Sequence, residues 1–141
     1  MSLKYIDLFA GAGGLSEGFI RCGFEPIAHV EMNKDACDTL RTRTAFHYLK
    51  EENRIEEYYD YVKGKISRDE LWLKIPKQLI NSVINTEISP ETLPSIFGKI
   101  DKQLGKQKVD LVIGGPPCQA YSVAGRARDP KGMTEDPRNH L

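Results

Sequence analysis

Several features are scarce in this sequence. It holds three cysteines, Cys22, Cys37 and Cys118, and no two of them stand in a C-x-x-C pair. That argues against a disulfide framework and against a zinc site, so no metal is expected. It fits a reducing, intracellular compartment such as a cytoplasm or nucleoid. No apolar run is long enough to span a bilayer and no signal-peptide pattern is read, so no membrane partner is expected. Charge of one sign is also lacking: 20 Lys and Arg balance 20 Asp and Glu. No overall basic field therefore marks the chain as a polyanion binder. What is present is a hydrophobic share of 40%, enough for a folded core. The length of 141 residues bounds the chain at one domain.

The most informative stretch is Gly114-Gly115-Pro116-Pro117-Cys118-Gln119-Ala120-Tyr121-Ser122. It follows Val109–Ile113, a short apolar run of the kind that forms a buried parallel strand. Two glycines permit close backbone approach, and two prolines stiffen the segment behind them. A thiol thus stands on a rigid mount at the carboxyl end of a parallel strand, where α/β proteins bind ligands. The alternative is a small buried hydrophobe, the commoner fate of a free cysteine. The polar residues after it, Gln119, Tyr121 and Ser122, favour the reactive reading.

The start of the chain carries a second signal. Lys4–Phe9 reads as a strand, Ala10–Gly14 as a glycine-rich turn, and Leu15–Cys22 as a helix closed by Gly23. Phe24–Val30 reads as a second strand ending at Glu31, and Lys34–Arg43 as a second helix. Strand, glycine turn, helix, and strand with a terminal acid is the nucleotide-binding βαβ unit. Glycines and a helix N-terminus suit an anionic or polar ligand. An acid about twenty residues past the first glycine suits ribose hydroxyls. The pattern is not the full G-x-G-x-x-G, since Ser16 stands where the third glycine belongs. A tight turn without a ligand stays open on these residues alone, as does a dinucleotide-dependent oxidoreductase.

The middle of the chain, residues 44–82, is charged and tyrosine-bearing and reads as a helical insertion on the surface. Leu71-Trp72-Leu73 and Leu79-Ile80 should anchor it. Lys63, Lys65 and Arg68 have acids interleaved among them, which favours a solvated face over a nucleic-acid surface. Val83–Ile88 reads as a third strand. Pro90 fits a helix first turn, with a helix running on to about Gly105.

Taken together, Asp7-Leu-Phe-Ala-Gly-Ala-Gly-Gly-Leu-Ser-Glu-Gly-Phe19 and Gly115-Pro-Pro-Cys-Gln-Ala-Tyr-Ser122, with Val30-Glu31-Met32-Asn33 between them, resemble the cofactor and catalytic motifs of the DNA (cytosine-5)-methyltransferases. The resemblance implies an α/β, partial Rossmann-like methyltransferase fold, with a parallel sheet, flanking helices and the helical insertion. It implies S-adenosylmethionine as cofactor and double-stranded DNA as partner, as in the enzymes of restriction-modification systems. By resemblance, Phe9 stacks near the adenine and Ala10, Gly11, Ala12, Gly13 and Gly14 cradle the methionine part. Leu15 and Gly115 border it, and Glu31 binds the ribose. Met32 stands where many members carry an aromatic residue against the adenine. Glu87 stands where the family has an Asp for the adenine amino group, with Ile88 as its apolar neighbour. Pro117 and Cys118 match the Pro-Cys pair whose cysteine is the nucleophile. Leu141 falls at a cofactor contact. Gln119, Ser122, Arg126, Arg128, Lys131 and Arg138 fall on the DNA side, the first five in or beside a glycine-bearing, basic loop that closes over phosphates.

The resemblance also implies that residues 1–141 are the N-terminal part of the catalytic domain. The family's later acid, its target-recognition region and the segment that covers the cofactor are not among these residues. The expectation is therefore that the 141 residues do not methylate DNA alone, and that a sheet edge is left exposed and open to self-association. A catalytically inactive, methyltransferase-like binding module remains a further alternative.

Overall fold

The computed structural model describes residues 2–117. Four strands, β1 (Lys4–Leu8), β2 (Glu25–Glu31), β3 (Val83–Asn85) and β4 (Leu111–Gly114), form one sheet in the order β3-β2-β1-β4. Every pairing is parallel. The connections carry α1 (Gly14–Arg21), α2 (Lys34–Glu51), α3 (Ile55–Val62), α4 (Arg68–Leu73), α5 (Lys77–Asn81) and α6 (Leu93–Leu104). This is the α/β architecture expected, a parallel sheet with flanking helices. The β1–β2 register shifts between Tyr5 and Ile6, opposite Pro26, where proline has no N–H to give to a ladder.

Side-chain alternation divides the sheet into two faces. Ile6, Ala28, Val30 and Ile84 pack against Ile96 and Ile100 of α6 in one apolar cluster. The opposite face of β1 and β2 carries Tyr5, Asp7 and His29, all buried, and α1 covers it through Ser16. Beside it, Cys37 and Leu40 of α2 cluster with Ala10 and Val83. Helix α2 is started by Asn33, whose side-chain Oδ1 accepts from the Ala36 N–H at 2.9 Å, the usual means of satisfying a free first-turn donor.

Several expectations are corrected. Helix α2 does not end at Arg43 but runs to Glu51. Nothing between 43 and 51 breaks a helix, and Ala45 and Leu49 are buried in a cluster with Leu71 and Ile75. Strand β3 stops at Asn85 rather than Ile88. The Thr92 hydroxyl donates to the Glu87 carbonyl and accepts from the Ser89 N–H, so the chain turns there instead of extending. Pro90 lies in that turn, and the proline of the helix start is Pro94. Leu71 anchors the helical stretch, but Leu73 is 85% exposed, because a six-residue helix presents one side to the core. Finally, β4 is not buried: Leu111 and Val112 are exposed. β4 is an outer strand, paired with β1 alone among the described residues.

Candidate functional site

The carboxyl ends of four parallel strands meet at one edge of the sheet, the place where open α/β sheets hold ligands. The loop after β1 turns sharply. Phe9 adopts a left-handed φ of 57°, which is uncommon for a side chain of its size and costs on the order of 1–3 kcal/mol. Gly13 follows at φ 85°, and a Cβ there would stand 2.7 Å from the Leu40 side chain. The turn is thus wound tightly against α2 before α1 begins. The Ala10 N–H donates to the Val30 carbonyl at 3.1 Å, which ties the loop to the end of β2.

Glu31, at the end of β2, organises this edge. One carboxylate oxygen accepts from the Gly11 N–H and the other from the Asn33 N–H, each at 2.8 Å. A carboxylate has about four lone-pair positions, so Glu31 keeps acceptor capacity for two further hydroxyls. From β3, the Asn85 amide donates to the Glu31 and Met32 carbonyls at 3.1 and 2.8 Å. The Cys37 thiol donates to the Glu31 carbonyl as well. The corner Glu31-Met32-Asn33 is therefore fixed from both neighbouring strands. Strand β4 reaches the same edge beside β1. A Cβ at Gly114 would lie 2.4 Å from the Leu8 carbonyl oxygen, so only glycine allows this approach.

Beneath the turn lies a buried polar row. Ser16 Oγ hydrogen-bonds both the Tyr5 hydroxyl and His29 Nε2, and Asp7 is the cross-strand partner of His29. Neither Asp7 carboxylate oxygen, nor His29 Nδ1, has a hydrogen-bond partner among the described residues. Desolvation, with the nearby Glu31 charge second, raises the Asp7 pKa to about 6. Desolvation lowers that of His29 to about 4. Burial likewise pushes the Tyr5 phenol up to about 12. The row thus favours uncharged side chains.

The chain matches the family model for C-5 cytosine-specific DNA methylase over residues 3–71 and 86–141. It belongs to that family. The similar sequences include the type II methyltransferase M.Bpa9945I of Bacillus paralicheniformis, 38% identical over 156 aligned positions that cover 96% of this chain and 35% of the relative. The type II methyltransferase M1.HphI of Haemophilus parahaemolyticus is 34% identical over all of this chain and 27% of its own length. The putative type II methyltransferase M.MjaORF1200P of Methanocaldococcus jannaschii is 35% identical, over 90% of this chain and 38% of the relative. This methylase-family chain thus spans about a third of the relatives it matches. No solved structure matches it.

In this family member, the singled-out residues that are described follow the carboxyl ends of the four strands. Phe9, Ala10, Gly11, Ala12, Gly13, Gly14 and Leu15 form the turn after β1 and the first residues of α1. Glu31 and Met32 stand at and just past the end of β2, and Met32 is 65% exposed. Glu87 and Ile88 lie just beyond β3, and Gly115 and Pro117 just beyond β4. Cys118, Gln119, Ser122, Arg126, Arg128, Lys131, Arg138 and Leu141 lie outside the described residues. Among the described residues, no cluster of metal ligands occurs, and no helix is long and apolar enough to cross a membrane. Two further residues, Asn85 and Asp7, are not singled out by sequence reasoning: the signals that could have found them are a polar residue ending β3 and an acid within β1.

Proposed function

We propose that these residues form the cofactor-binding part of a DNA cytosine-5 methyltransferase that uses S-adenosylmethionine and a covalent cysteine adduct. The observation that carries the reading is Glu31. It is a carboxylate braced by the Gly11 and Asn33 N–H groups, with acceptor positions left for a ribose diol, at an edge shared with the glycine turn. The residues present fit the cofactor. Glu31 would take the ribose hydroxyls. Phe9, Met32 and Ile88 would flank the adenine, and Glu87 would accept from its amino group. Ala10 through Leu15, with Gly115, Pro117 and Leu141, would surround the methionine part. When bound, S-adenosylmethionine supplies an electrophilic methyl group.

The remaining chemistry belongs to Cys118. Its thiolate adds to C6 of a flipped cytosine, forming an S–C6 bond and pushing the ring electron pair toward C5. C5 becomes enamine-like and nucleophilic. Once C5 carries the methyl group, water or another base takes the C5 proton, and the C5–H electron pair re-forms the C5=C6 bond as the S–C6 bond breaks and the thiolate leaves. Pro116 and Pro117 hold the cysteine on a stiff segment. Gln119, Ser122, Arg126, Arg128, Lys131 and Arg138 serve the DNA, the cations as phosphate contacts.

Calorimetry on the 141-residue chain with S-adenosylhomocysteine and, separately, with NAD tests the cofactor. Binding of the first and not the second is expected, and the reverse would refute the reading in favour of an oxidoreductase. The nucleophile is tested in a protein of the relatives' length carrying this sequence, on duplex DNA containing 5-fluorocytosine. Fluorine cannot leave as a proton does, so an adduct should accumulate, and it should vanish in Cys118→Ala. An undiminished adduct in that variant would rule out Cys118.

A further inference from the structure

A cavity of about 420 Å³ between α1 and α2 surrounds Glu17, Arg43 and His47, but there the Glu17 carboxylate is already engaged by the Arg43 guanidinium and the His47 ring. A different one, about 500 Å³, runs along the outer side of β3. Its lining includes Arg41, Trp72, Asn85, Lys99, Lys102 and Gln103, and no acidic residue, in a chain whose acids and bases are equal in number. We propose that this groove holds the phosphodiester backbone of duplex DNA, apart from the edge that carries Glu31.

Its two walls are built differently. One wall is fixed. The Arg41 guanidinium donates to Asp38 at 3.0 Å and to the Val83 carbonyl at 3.3 Å, and both Arg41 and Arg68 lie over the Trp72 ring. Asp38 is shared by three cations, Lys34, Arg41 and Arg68, so this wall keeps a positive surplus. The other wall is α6. Lys99 and Lys102 stand one turn apart on it, both exposed, and neither forms an ion pair among the described residues. Residues three apart on a helix lie about 5–6 Å apart, which lets each ammonium meet its own phosphate. Gln103 adds an uncharged donor of the kind that contacts phosphate oxygens, while the Asn85 amide is held by the Glu31 and Met32 carbonyls.

The choice of DNA over another polyanion rests on the methyltransferase reading above. β3 lies three strand spacings, about 14 Å, from β4, whose end leads into Cys118. A duplex carries one charge per about 1.7 Å of its axis. DNA engaged beyond β4 therefore offers about eight phosphates over the span to β3.

The test uses a fluorescent duplex of dA·dT pairs only, without cofactor, and anisotropy titrations of the 141-residue chain at several salt concentrations. With no cytosine present, the result does not depend on methyl transfer, and the S-adenosylhomocysteine titration does not depend on these lysines. Lys99→Ala/Lys102→Ala should flatten the slope of log K against log salt by about 2, at about 0.9 per phosphate contact. Lys106→Ala/Lys108→Ala removes the same charge from exposed positions outside the groove and should leave the slope nearly unchanged. An unaltered slope in the groove variant, or an equal loss in the control, would overturn the proposal. So would a poly-glutamate peptide that displaces the duplex at matched charge, since the groove would then select acidic chains and not nucleic acid.

Discussion

Asp7 and His29 sit opposite each other on neighbouring strands, both buried, and their titrations should oppose each other. Asp7 has its pKa raised from 3.8 to about 6. Its ionisation is therefore harder in the folded protein, so stability is lost as pH rises through that window. At about 1.4 kcal/mol per pKa unit the loss reaches about 3 kcal/mol by pH 7. His29 has its pKa lowered from 6.5 to about 4. Its protonation is harder in the folded protein, so stability is lost as pH falls, by about 3 kcal/mol at pH 4. The two penalties sum to a value that changes by only about 0.5 kcal/mol between pH 4 and pH 7. Folding at pH 5 in effect moves a proton from the imidazole to the carboxylate. Single replacements should expose each slope. Relative to the unsubstituted protein, Asp7→Asn should gain about 2–3 kcal/mol on going from pH 4 to pH 7, and His29→Gln should lose about as much. Urea unfolding at four pH values measures this. Groups such as Glu17, held down to about 2 chiefly by its hydrogen bond to His47, titrate in all three proteins and cancel from the differences. Difference curves that are flat for both variants would refute the reasoning, whatever the fixed packing cost of each substitution.

Further outcomes are expected elsewhere. Glu31→Gln should weaken S-adenosylhomocysteine binding about 10- to 150-fold, the worth of a hydrogen bond to a charged acceptor, and calorimetry reads it directly. Gly114→Ala places a methyl 2.4 Å from the Leu8 carbonyl, so β4 should shift or detach, with a loss of about 1–3 kcal/mol in urea unfolding. Ile96→Ala removes a side chain that is 1% exposed at the centre of the α6 cluster, and should cost about 2–5 kcal/mol.

The βαβ unit was legible because each signal was local: apolar runs of strand length, a glycine turn, and an acid at the expected interval. The helix ends were harder. Arg43 marked no boundary because what extends α2 is burial of Ala45 and Leu49 against Leu71 and Ile75, partners more than twenty residues away. The end of β3 depended on a threonine hydroxyl reaching back to the Glu87 carbonyl, a contact that composition does not announce. The candidate site was legible in its glycines and in Glu31, which the sheet sets side by side through the Gly11 N–H. It was not legible in Asp7 and Asn85. The meaning of each comes from which neighbour the sheet order sets beside it, and strand order is a property of the whole chain.

That order has a kinetic side. β1 meets β2 across a short stretch of chain, Lys4 opposite Glu25, but it meets β4 across a long one, Tyr5 opposite Leu111. Closing the longer loop costs more chain entropy and comes later on a topological argument. β4 also has only four residues, with Leu111 and Val112 still facing solvent, so little burial repays its docking. Its amides should exchange with deuterium ahead of those of β1 and β2. The rigid Gly-Gly-Pro-Pro arm is then seated on the last strand to arrive and the first to leave. Ligands that grip the glycine turn and β4 together would act as a latch on the sheet.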